Sequence, residues 1–82
     1  MEESYFSDKN VLAKAISILS TAGKKPVSSL QIKMSIGFAR AGRLYDTIME
    51  IPVIAENGGL EWLQRGNNVE TVMEYLNDES KH

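Results

Sequence analysis

Apolar residues along the chain fall into blocks whose spacing changes, and the changes mark the elements. Val11, Leu12, Ala15, Ile16 and Leu19 recur three and four residues apart, the pattern of one helix face. Asp8 or Ser7 supplies the N-cap, and Ala22-Gly23 the stop. The polar side of this helix, Lys9, Lys14, Ser17 and Ser20, is too sparse for a binding surface, so the helix reads as scaffold. Residues 1–7 precede it as a flexible leader, with Tyr5 and Phe6 placed to staple back onto its start. Lys24 to Val27 is a short extended connection, with Val27 as a very short strand. Ser28 and Gln31 then form a capping box, Leu30, Ile32, Met34 and Ile36 supply apolar positions, and Gly37 offers a hinge at positive φ. A second helix over 38–50 sets Phe38, Ala41, Leu44, Tyr45, Ile48 and Met49 on one side and Arg40, Arg43, Thr47 and Glu50 on the other. That order predicts a helix-turn-helix with a candidate reading face.

Beyond Glu50 the period shortens. Pro52 blocks helical continuation, Val53-Ile54-Ala55 reads as a strand, and Glu56-Asn57-Gly58-Gly59 as a tight turn. Leu60 to Leu63 is the return strand. Three helices followed by a β-hairpin is the winged-helix order, so the fold class expected is mainly α, a winged helix-turn-helix. Val69, Val72, Met73 and Leu76 then sit at i, i+3, i+4 and i+7, which predicts an added C-terminal helix over 67–76 with an acidic outer face of Glu70, Glu74 and Asp78. The domain spans 8–76, with 8–63 as its winged-helix core and 77–82 as a frayed tail.

Composition narrows the partners. Eighty-two residues, 43% hydrophobic and 24% charged, make one small domain with one core. No apolar run is long enough to span a membrane, the polar start MEESYFSD does not read as a secretory signal, and the absence of cysteine suits the cytoplasm. A net charge of −2 argues against nucleic acid only if it is evenly spread. From Lys24 to Tyr45 there are five basic residues, Lys24, Lys25, Lys33, Arg40 and Arg43, and no Asp or Glu. Such asymmetry creates a local positive field within an acidic molecule.

An enzymatic reading lacks parts. The only histidine is His82 at the chain end, no phosphate-cradling glycine loop is present, and carboxylates do not fall at metal-ligand spacing. No catalytic residue, metal or cofactor is expected. The candidate site is therefore a DNA-binding one: Arg40 and Arg43 to pair with guanine edges, Lys24, Lys25 and Lys33 for phosphates, with Ser28 and Thr47 completing the polar set. The same side chains also suit a solvated face, with Arg40 and Arg43 pairing to Asp46, Thr47 or Glu50 along the helix. Phe38, Tyr45 and Trp62 fit packing better than base stacking. Gly42, inside a helix, leaves a bare patch suited to close approach of DNA or another helix.

The run KKPVSSLQIKMSIGFARAGRLYDTIMEIPVI, Lys24 to Ile54, resembles the C-terminal gamma domain of the FtsK/SpoIIIE family of bacterial DNA translocases. Ser28, Leu30, Gln31, Ile36, Gly37, Phe38, Arg40, Ala41, Arg43, Leu44, Asp46, Ile48 and Glu50 meet its pattern. The chain departs from it at Ala39, where the family has Asn, and in the short acidic turn at Glu56 to Gly59. The resemblance implies a winged helix binding oriented, G-rich double-stranded DNA in chromosome segregation, with a hexameric ATP-driven translocase motor and a site-specific recombinase as partners. It carries Arg40 and Arg43 over as recognition-helix contacts in the major groove. The alternative is a winged helix that meets another protein and no DNA.

Overall fold

The computed structural model describes residues 2–80, and every regular element among them is a helix. In chain order these are α1 (Glu2–Ser7), α2 (Lys9–Ser20), α3 (Pro26–Lys33), α4 (Phe38–Met49), α5 (Pro52–Ala55), α6 (Leu60–Leu63) and α7 (Asn68–Ser80). None is long and apolar enough to cross a membrane.

Asp8 starts α2, its carboxylate accepting from the N–H groups of Asn10 at 2.8 Å and Val11 at 3.2 Å. The helix buries Leu12, Ala15, Ile16 and Leu19. Leu30 of α3 and Ala41, Leu44 and Ile48 of α4 close on that face with no exposed surface. Ile54, Leu63 and Val72, one each from α5, α6 and α7, complete the core, so α7 belongs to the body of the domain. Burying a large aliphatic side chain is worth about 1.5–3 kcal/mol, so the four-residue helices α5 and α6 are held by the packing of Ile54 and Leu63, with Val53, Leu60 and Trp62 partly buried beside them, more than by their own hydrogen bonds. Side-chain bonds to backbone tie the periphery down. The Gln64 amide donates to the carbonyls of Leu19 at 3.0 Å and Gly23 at 2.9 Å, and the Asn68 amide donates to that of Trp62 at 2.8 Å.

Several expectations are corrected. The β-hairpin wing is absent: Val53–Ala55 and Leu60–Leu63 are single helical turns, and no strand occurs among the described residues. Pro52 sits at the first helical position, where its fixed φ and missing N–H suit a helix start, and Leu60 and Leu63, three apart, share a helical face. Short apolar runs do not distinguish strand from helix by period alone. Gly58 and Gly59, at φ 118° and 79°, separate two helical turns rather than closing a hairpin.

Val27 and Ser28 likewise lie inside α3, which begins at Pro26 with Lys25 as its N-cap, so the capping box does not form. Glu2–Ser7, expected as a flexible leader, is helical with Phe6 buried. At the other end α7 continues through Ser80, while Met1 and residues 81–82 of the expected leader and tail lie outside the described residues.

The turn between α3 and α4 is also displaced from the expected hinge. Gly37 has φ −72° and ψ 165°, an ordinary extended N-cap, whereas Ser35 takes φ 55°. Ile36 N–H donates to the Gln31 carbonyl at 3.1 Å and Ser35 N–H to that of Ile32 at 3.4 Å, the nested pair that closes a helix through a left-handed residue. A side chain in that conformation costs about 1–2 kcal/mol relative to glycine. Ser35→Gly should therefore raise the free energy of unfolding, by about 1 kcal/mol after its own backbone entropy is counted, read from the denaturant midpoint. A lower midpoint would contradict the assignment of the turn.

Candidate nucleic-acid interface

Burial of Ala41, Leu44 and Ile48 decides which side of α4 faces out. At 3.6 residues per turn the opposite side carries Ala39, Arg43, Asp46 and Glu50, and all four are exposed. Arg40 is exposed at the border of this face. No side chain caps the start of α4 and its first turn holds no acid, so backbone N–H groups and the positive end of the helix dipole are presented there. The face is thus positive at its beginning, through Arg40 and Arg43, and negative at its end, through Asp46 and Glu50.

Both arginines rest on aromatic rings of α1. The Arg40 guanidinium carbon stands 4.9 Å from the Tyr5 ring centroid and that of Arg43 4.6 Å from the Phe6 centroid, within cation–π range. The two rings meet edge to face, 5.2 Å apart at 88°. Phe6, Gly37, Ala39, Arg40 and Arg43 line an open groove of about 440 Å³ along the start of α4. Tyr5 and Phe6 belong to this surface, and only the stapling pattern of the sequence pointed at them.

The other predicted residues lie around the groove rather than in it. Lys24 and Lys25 are exposed in the turn between α2 and α3, Ser28 is exposed on α3, and Lys33 is exposed in its last turn. Thr47 is half-buried and its hydroxyl donates to the Arg43 carbonyl at 2.8 Å, which engages its hydrogen within α4. Glu70, Glu74 and Asp78 are exposed on α7.

Two residues expected in the core are outside it. Ile32 is 75% exposed and Phe38 70%. Leu30, Ile32, Met34 and Ile36 alternate with a period of two, so within a helix only Leu30 of the first pair can face inward. Phe38 lies off the centre of the buried stripe, at the open end of α4. Among the described residues no polar or charged side chain is buried, and no group of three His, Cys, Asp or Glu is placed to hold a metal ion. His82 lies outside them. No protein-family model, curated protein or solved structure matches the chain.

Gly42 has nothing within 4 Å of where a Cβ would stand, so no neighbour in the chain requires a glycine there. Gly42→Ala should stabilise the free protein by about 1 kcal/mol through helix propensity, measured by chemical denaturation. Ile32→Ser and Phe38→Ser should each shift stability by no more than about 0.5 kcal/mol, whereas Leu44→Ala should cost about 2–5 kcal/mol. A core-sized loss at Ile32 or Phe38 would contradict their exposure.

Proposed function

We propose that the chain binds double-stranded DNA through α3 and α4, as a non-catalytic domain, with the start of α4 in the major groove. One observation carries this reading. The five cations of the acid-free stretch, Lys24, Lys25, Lys33, Arg40 and Arg43, are all exposed, two of them in the turn before α3, one in its last turn and two in the first half of α4. Arg40 and Arg43 read base edges from the N-terminal half of α4, the part that enters the groove in this motif. Lys24, Lys25 and Lys33 contact phosphates, with Ser28 as a further hydroxyl contact and Thr47 at the margin. A phosphate at the uncapped start of α4 fits the helix dipole. The acids at the end of α4 disfavour the backbone there and so help set the direction in which the helix lies.

The resemblance of Lys24 to Ile54 to the translocase gamma domain supports a role in cytoplasmic chromosome segregation, with a translocase motor or a recombinase as partner. In this chain the contacts come from helices, without a β wing.

A protein-binding role is the second reading, and the exposure of Ile32 and Phe38 on either side of the α3–α4 turn favours it. The two part on salt. If three lysines neutralise phosphates, log affinity for a labelled duplex should fall with log salt at a slope of about −3. Arg43→Ala should cost about 1–3 kcal/mol on the preferred duplex and relax the sequence preference. Anisotropy titrations that show no duplex binding at low salt, or binding indifferent to salt, would favour the protein-binding reading.

A further inference from the structure

We propose that Phe38, at the first position of α4, is a specificity-determining residue that reads the 5-methyl group of thymine in the major groove. The inference rests on the DNA-binding reading above and gives a role to an apolar side chain which that reading leaves unused.

Phe38 is 70% exposed, and it is the one exposed aromatic among the described residues. Phe6 lies in the core, Tyr5, Tyr45 and Trp62 pack against it, and Tyr75 is half-buried on α7. The residues that adjoin Phe38 at the start of α4 are small. Gly37 precedes it, Ala39 follows it, and Ala41 and Gly42 stand three and four positions on, where a helix brings side chains together. Neither Gly37 nor Gly42 has anything within 4 Å of where a Cβ would stand. From these four positions no large side chain holds an opposing surface away from the ring.

A recognition helix in the major groove presents its first residues to base edges. Those edges carry hydrogen-bonding groups and one apolar group, the thymine methyl. The side chains of Phe38 and Ala39 contain no polar atom, so the methyl is the group they are able to recognise. Its contact with the ring removes apolar surface of both from water, whereas cytosine, with an amino donor and no methyl, gains nothing there. Ile32, 75% exposed, lies in the last turn of α3 and is not carried by the helix that enters the groove.

The test uses the full chain and a duplex selected from randomised DNA, with each thymine in turn replaced by deoxyuridine, which lacks only the methyl. At one or two positions the replacement should weaken binding about fourfold, the worth of one buried methylene-sized group. The salt slope should stay the same, because no phosphate contact changes. Phe38→Ser should bind the thymine and deoxyuridine duplexes alike, and Phe38→Leu, which keeps an apolar side chain, should still tell them apart. If Phe38→Ser unfolds the domain, the deoxyuridine series on the unmodified chain and on Phe38→Leu carries the test. A selected site without thymine, deoxyuridine tolerated at every position, or a thymine preference that persists in Phe38→Ser would each overturn the proposal. No duplex binding by the unmodified chain would overturn the DNA reading itself, a separate result from duplex binding that is indifferent to the methyl.

Discussion

Complete burial of Ala41, Leu44 and Ile48 fixes the rotation of α4 about its axis, and the character of the exposed surface follows from that rotation. Three side chains without solvent contact, packed on the inward faces of α2 and α3, leave α4 no alternative orientation that keeps its apolar stripe dry. Ala39, Arg43, Asp46 and Glu50 are thereby turned out. The turn at Ser35 then sets where α4 begins, and Gly37 delivers its first residues uncapped at the surface. A charged end and a bare helix start coincide because packing places them together.

The N-terminal helix extends this logic from scaffold to site. Six residues make a helix too short to stand alone, and α1 is held by Phe6 in the core. That burial brings two ring faces against Arg40 and Arg43, linking the hydrophobic core to the cationic surface through one pair of adjacent residues. At the opposite end, α7 inserts Val72 into the core and keeps Glu70, Glu74 and Asp78 outside. A molecule with net charge −2 thus keeps a contiguous stretch of chain without acids on one helix pair.

Long periodic segments were legible in the sequence, and short ones were not. α2 and α4 each carry three or more buried positions at helical spacing, enough to fix type and face together. Val53–Ala55 and Leu60–Leu63 carry one fully buried residue each, and a run of three or four residues fits a strand as well as one helical turn. Pro52 and Pro26 signal a stop and a start with equal force until the neighbouring turn is known. The left-handed turn fell on Ser35 although Gly37 was nearby, since the position is set by where α3 ends. The cations of the candidate site were legible as a charge run. Their aromatic supports were not, because the pairing of Tyr5 with Arg40 and of Phe6 with Arg43 spans more than thirty residues and exists only once α1 docks.

The most direct measurement is a chemical-shift map of the folded domain titrated with duplex DNA at low salt. Binding through α3 and α4 predicts perturbations concentrated on Lys33, Gly37, Ala39, Arg40 and Arg43 and on the Lys24-Lys25 turn, with α7 unmoved. Perturbations confined to α7, or none at a duplex excess that saturates a weak nonspecific site, would contradict it.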